Sequence, residues 1–148
     1  MHGILRRLDD DYCDPLELRD DSTLGVAGLS EAVRRGNVLL ANGLGSSLLE
    51  SGALLGYLPA LCQSLLGESL RMPSVATWWC GDVKALQAVS ASLERLVIKP
   101  AFPQLRREPV FGHGLSAQDR DQSLARLQAQ PHNYVAQEVV RLSHATVA

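Results

Sequence analysis

Lysine is nearly missing from this sequence. Two lysines, Lys84 and Lys99, stand against twelve arginines, so basic positions have drifted almost wholly to arginine. A net charge of −2 with both signs interspersed argues against a nucleic-acid or anionic-membrane surface as the main partner. Cysteine is sparse too. Cys13, Cys62 and Cys80 are odd in number and share no short spacing, which excludes a disulfide framework and a zinc motif and suggests a reducing compartment. No apolar run is long enough to cross a bilayer, and no charged, apolar and cleavable leader opens the chain. A cytoplasmic protein is expected, with neither nucleic acid nor membrane as partner. Both ends run directly into or out of strand-like sequence and read as cut from something longer.

What remains is globular: 46% of the 148 residues are hydrophobic and 20% charged. That length suits one domain, or two small halves sharing a core. We expect a strand at Ile4–Leu8, then an acidic, polar connection to Ser22. Six aspartates, in a chain of sixteen acids, fall between positions 9 and 21. They form either a solvated loop of capping aspartates or a surface for substrate or cation, with Arg19 able to grip a carboxylate bidentately. Asp14-Pro15 favours a turn. Ser30–Gly36 reads as a short helix with a serine cap and a glycine stop, and Val38–Asn42 as a buried strand. Gly43-Leu-Gly-Ser-Ser47 then opens an apolar helix from about Leu48 to Leu66, closed by Gly67 and kinked or divided at Pro59. Strand, glycine loop and helix can offer backbone N–H groups to an anion, or can be only a tight turn. Leu54, Leu55, Leu58, Leu61, Cys62, Leu65 and Leu66 form the expected core stripe.

Thr77-Trp-Trp-Cys80 reads as a strand with its tryptophans on opposite faces, one for the core and one for an interface. Asp82 caps a helix whose core face is Val83, Leu86, Val89 and Leu93. That helix delivers the chain to Leu96-Val-Ile-Lys-Pro100, a buried strand ending in a lysine, with Pro100 marking its exit. Lys99 either snorkels to water or serves as a single-point cation for phosphate, a task an arginine fork does not replace. Ala101–Gly112 can form a hairpin around an arginine-rich tip. Ser116-Ala-Gln-Asp119 starts a helix reaching about Ala129, which Pro131 ends. Tyr134–Val140 is the last strand, with Glu138 costly inside it unless partnered, or in water if the strand is an edge. The histidines (His2, His113, His132, His144) show no acid partner and nucleophile nearby in sequence, so triad chemistry is not indicated and catalytic residues stay unassigned.

The order of these parts resembles the nucleotide-binding half of an ATP-grasp ligase: a strand ending Val-Ile-Lys-Pro100, a hairpin, a helix, and a strand Tyr134-Val-Ala-Gln-Glu138. More closely, the chain is similar to circularly permuted ATP-grasp proteins related to glutathionylspermidine synthase. The segments that carry this are Asp9–Arg19, Leu24–Gly28, Gly36–Asn42, Pro73–Cys80, Leu96–Pro103 and Glu108–Gly112. The resemblance implies a mixed α/β fold, with a front strand–loop–helix part over residues 1–72. Residues 73–148 would form the nucleotide-binding subdomain, an antiparallel sheet backed by two helices.

It implies ATP and magnesium as cofactors of the whole protein, and a carboxylate joined to an amine through an acyl phosphate. Lys99 matches the lysine that contacts ATP phosphates, and Gln137 and Glu138 match the strand that meets adenine and ribose. Asp14, Arg19 and Asn42 are candidates toward a small-molecule or peptide carboxylate. Two departures count against a complete site. Ala101–Glu108 has no glycine where relatives carry a glycine-rich phosphate loop, leaving Arg106 and Arg107 as substitutes. Glu50-Ser-Gly-Ala53 lacks the Asp-Lys pair that relatives tend to have. The magnesium ligands belong beyond residue 148, so no metal site is expected here. The alternative is a degenerate unit that binds a peptide or partner protein without catalysis. The rest of the parent chain is an expected partner, and a homodimer a further one.

Overall fold

The computed structural model describes residues 2–140, so the chain end from residue 141, with His144, lies outside the described residues. The architecture is mixed α/β, in two compact units that part at Glu50 and Ser51 rather than after residue 72.

In the first unit β1 (His2–Leu5) pairs in parallel with β2 (Val38–Ala41). The expected strand at Ile4–Leu8 ends early, because the Arg6 side chain turns onto nearby carbonyls, including Leu8 O. Strands in one sheet pair by their edges and leave both faces to other elements, so β2 alternates between half-buried and exposed residues and Leu39 is 62% exposed; it is not the buried strand its composition suggested. Between them runs α1 (Leu29–Arg34). Ser30 is not its cap. Gly28 holds that position at φ 80°, and the N–H groups of Gly28 and Ser30 donate to the Asp14 carboxylate. Gly36 closes the helix region at φ 69°, as expected.

The second unit opens with α2 (Ala53–Leu66). The glycine loop does not lead straight into it. A 3-10 turn at Ser46–Glu50 intervenes, and the N–H of Gly52 and hydroxyl of Ser51 both donate to Ala101 O. The helix runs through Pro59 without dividing, and Gly67 closes it at φ 70°. Its leucines surround it, so one small sheet cannot cover them all. Leu54, Leu58 and Cys62 are half-buried, whereas Leu55, Leu61, Leu65 and Leu66 are exposed.

Four antiparallel-paired strands follow: β3 (Thr77–Trp79), β4 (Leu96–Pro100), β5 (Val110–Phe111) and β6 (Tyr134–Glu138), in the order β3-β6-β4-β5. The β4–β5 hairpin is present. β6 is an inner strand paired on both sides and stops at Glu138, short of the expected Val140. α3 (Val83–Ala91) is capped by Asp82, whose carboxylate accepts from Ala85 N at 2.9 Å. α4 (Ala117–Ala129) is capped by Ser116. One sheet face packs on these helices through Leu96, Ile98, Tyr134 and Ala136 against Val89, Leu93 and Leu127. Val83, placed in this core from its spacing, is 70% exposed in the first turn of α3. The tryptophans do take opposite faces, but neither is fully buried, and Trp79 donates from Nε1 to His132 O. Gly112 passes so close to α3's exit that a Cβ there would lie 1.8 Å from Leu93 O.

Candidate nucleotide-binding strand

β4 begins with three buried residues and then presents Lys99, half-buried. Its Nζ donates to Gln137 Oε1 at 2.6 Å. Gln137 is itself buried, and its Nε2 donates to Thr77 Oγ1 at 3.0 Å. The register explains the meeting. Gln137 lies opposite Thr77 on β3 and Val97 on β4, and Lys99 lies opposite Val135. Directly opposed residues of antiparallel strands share a face, so Thr77, Gln137 and Lys99 point to one side of the sheet. It is the side away from α3 and α4, since Leu96, Ile98 and Ala136 occupy the other. Among the described residues no carboxylate pairs with Lys99.

The other back-half candidates do not join them. Glu138 lies opposite Leu96, hence on the helix face, where it is exposed and lines a cleft of about 660 Å³ with Trp78, Arg95 and His113. Arg107 crosses to that face too. Its guanidinium bonds the Tyr134 hydroxyl, sits 5.4 Å from that ring's centre and reaches Gln130 Oε1 at 3.5 Å. Arg106 is exposed at φ 44°, a left-handed conformation that glycine takes more easily. Of the five, the sheet brings together Lys99 and Gln137.

In the first unit the candidates have internal partners. Asp14 is fully buried and accepts N–H bonds from Leu16, Gly28 and Ser30 at 2.9–3.1 Å. The Ser30 N–H above all holds its carboxyl below the usual 3.8. Arg19 grips Asp21 in its own loop and bonds the Tyr12 hydroxyl at 2.7 Å. Asn42, at φ 61°, exchanges hydrogen bonds with Arg6, from Nδ2 to Arg6 O and from Arg6 Nε to Asn42 O. The unforeseen centre of this unit is the Arg6–Asp10 ion pair, 2.5 Å apart with both side chains 9% exposed. Asp10 Oδ2 accepts from Gly45 N at 2.8 Å and Ser47 N at 3.0 Å. The glycine loop's amides, read as a possible anion site, already hold an internal anion. Burial raises the Asp10 carboxyl, but Ser47, Arg6 and Gly45 together bring it below 3.8.

Burial alone pushes the Cys80 thiol up to about 11, which leaves it unreactive at neutral pH. Among the described residues no three His, Cys, Asp or Glu side chains converge as a metal site, and no helix is long and apolar enough to cross a membrane. Neither Thr77 nor Arg6 was singled out from the sequence. Thr77 is visible only through its register with Gln137, and Arg6 only through the β1–β2 pairing that brings it to Asn42.

Comparison with known proteins finds longer relatives. An uncharacterised protein of Mycobacterium tuberculosis is 39% identical over 142 residues, covering 96% of this chain and 16% of its own length. One of Synechocystis is 36% identical over 140 residues, or 95% and 29%, and one of Mycobacterium leprae 33% over 140 residues, or 95% and 25%. The chain thus spans less than a third of each of these relatives. The sequence model of circularly permuted ATP-grasp type 2 proteins matches residues 1–148. The chain belongs to the circularly permuted ATP-grasp type 2 family.

Proposed function

We propose that this chain supplies the phosphate-contacting strand of an ATP-dependent carboxylate–amine ligase, with Lys99 as the contact. The observation that carries the reading is the Lys99–Gln137 pair on the sheet face opposite α3 and α4, where Lys99 is half-buried and keeps no ionic partner among the described residues. The residues suit an anion. An ammonium has three protons, Gln137 takes one, and two remain for phosphate oxygens. Bound ATP would supply the phosphoryl group that activates a substrate carboxylate for attack by an amine. Lys99 would neutralise charge on that group as it transfers. Magnesium, used with ATP across the family, would be held by carboxylates of the parent protein outside this chain. The resemblance to glutathionylspermidine synthase-related proteins supports a peptide-type carboxylate as the substrate.

A degenerate, non-catalytic binding module is the second reading. It is favoured by the glycine-free Ala101–Glu108 stretch and by Arg107, which Tyr134 and Gln130 hold on the opposite face. Titration of ATP with magnesium into the full-length protein separates the two. The ligase reading expects a rise in melting temperature that Lys99→Ala abolishes. A wild-type protein whose melting temperature ATP does not move sinks it.

A further inference from the structure

We propose that Thr77 is a positioning residue, whose hydroxyl orients the Gln137 amide so that Lys99 is held with its free protons available to an anionic ligand. The inference rests on the reading of Lys99 as the nucleotide-phosphate contact and adds the residue that sets its pose.

The argument follows the protons. A threonine hydroxyl has one proton to donate and lone pairs with which to accept. The Thr77 proton goes to Val75 O, 2.9 Å away. Toward Gln137 the hydroxyl can therefore only accept. Of the two ends of the Gln137 amide, only the NH2 can face such an oxygen, and it does so at 3.0 Å. The carbonyl end is thereby turned to Lys99, with Oε1 2.6 Å from Nζ. A flipped amide would set NH2 against ammonium and carbonyl oxygen against hydroxyl oxygen, two repulsive contacts in place of two bonds. Gln137 is only 9% exposed, so water cannot readily relieve the mismatch. The relay crosses three neighbouring strands, since Thr77 opposes Gln137 and Lys99 sits one pleat along from Val97, which also opposes Gln137.

Two consequences follow for the site. The ammonium is fixed by a neutral acceptor, which orients it without cancelling its charge. The donor end of Gln137 is committed to Thr77, so Gln137 supports the lysine and does not offer that end to an adenine edge.

The test uses the full-length protein and amine acylation by an N-hydroxysuccinimide ester, with modification at Lys99 quantified by mass spectrometry against exposed Lys84 as internal reference. Thr77→Val keeps the branched shape and loses the acceptor. It is expected to raise the Lys99/Lys84 labelling ratio roughly twofold to tenfold, the factor expected for one released hydrogen bond. Thr77→Ser is expected to keep the wild-type ratio. Adding Gln137→Glu to Thr77→Val is expected to restore protection, because a carboxylate has two equivalent oxygens and needs no orienting. If Thr77→Val does not fold, Thr77→Ala is read in its place. An unchanged ratio in the folded Val or Ala variant overturns the proposal. So does a Thr77→Ser protein as reactive as the Val one, since that assigns the effect to packing. Labelling the wild type with and without ATP and magnesium tests the phosphate reading separately. Lack of protection by ATP removes that reading, while the relay stands or falls on the Thr77 variants.

Discussion

Asp10→Asn should unlock the glycine turn of the first unit. In the native protein Oδ2 accepts from the N–H groups of Gly45 and Ser47, and Oδ1 lies 2.5 Å from Arg6 Nη2. An asparagine retains one acceptor oxygen and places an NH2 group either against those two amides or against the guanidinium. Removing one partner of a buried ion pair costs about 3–5 kcal/mol when the other charge is left stranded. Arg6 is only partly stranded, because it also donates to Asn42 O, Ser46 Oγ, Gly43 O and Leu8 O. The loss should therefore fall nearer about 2–4 kcal/mol. Hydrogen exchange reads this locally. Protection at the Gly45 and Ser47 amides should drop roughly 30-fold to several hundredfold, at tenfold per ~1.4 kcal/mol. Glu31→Gln provides the contrast. It alters a pair that is also short, at 2.7 Å to Arg34, but with 56% and 42% of the two side chains exposed. Its cost should stay below about 1 kcal/mol. If Asp10→Asn changes protection at Gly45 and Ser47 no more than Glu31→Gln does, the carboxylate is not what holds the turn, and its amides regain their candidacy as an anion site.

Acid should act through Asp14. Its carboxyl is held below 3.8 by the Ser30, Leu16 and Gly28 amides, so the stability it contributes is complete above that value and is lost as pH falls below it, through the folded-state value. Exchange at the Gly28 and Ser30 amides, corrected for intrinsic rate, should thus speed up on going from pH 5 toward pH 3 (about one unit either side of the ordinary carboxylate range), and a flat profile would count against the cap. Gly112→Ala should destabilise the second unit by about 1–3 kcal/mol, because the new Cβ would stand 1.8 Å from the main-chain oxygen of Leu93 and backbone must move; an unchanged denaturant midpoint would refute that.

The second unit was more legible than the first, for a physical reason. Its signals are local: Asp82 and Ser116 cap helices within three residues of themselves, and Leu96-Val-Ile98 buries three consecutive side chains in an inner strand. The first unit is built from contacts that sequence spacing does not advertise. Asp14 serves a helix that starts fifteen residues later, and Asp10 serves a turn more than thirty residues away. Read along the chain, both belong to an acidic cluster and invite a ligand; read in space, Asp14 is held by three backbone amides and Asp10 by two amides and the Arg6 guanidinium. The α2 stripe failed differently. Leucine spacing says that a helix has apolar surface but not how much sheet is available to cover it, and here only the Leu54–Leu58–Cys62 line is half-buried. At the site, the residue types were readable and their grouping was not. Gln137 and Glu138 are adjacent in sequence, yet the pleat sends one toward Lys99 and the other to the helix face.

Arg6 and Lys99 use their donors in opposite ways. Arg6 uses its planar fork fully: Nε and both Nη atoms reach four oxygen acceptors besides Asp10, and little of it meets solvent. A cation so saturated is structural, because an incoming anion would have to displace bonds already made. Lys99 has one bond, to a neutral oxygen, and no ionic partner among the described residues. A guanidinium at that position would be longer and flat, and could not place one N–H on Gln137 while directing the others out of the same small head group. The ammonium can, because its three protons diverge from a single nitrogen. Replacement of Lys99 by Arg should therefore keep the charge and still lose the Gln137 contact. At these two positions the arginine has its donors consumed, whereas the lysine spends one of its three on Gln137.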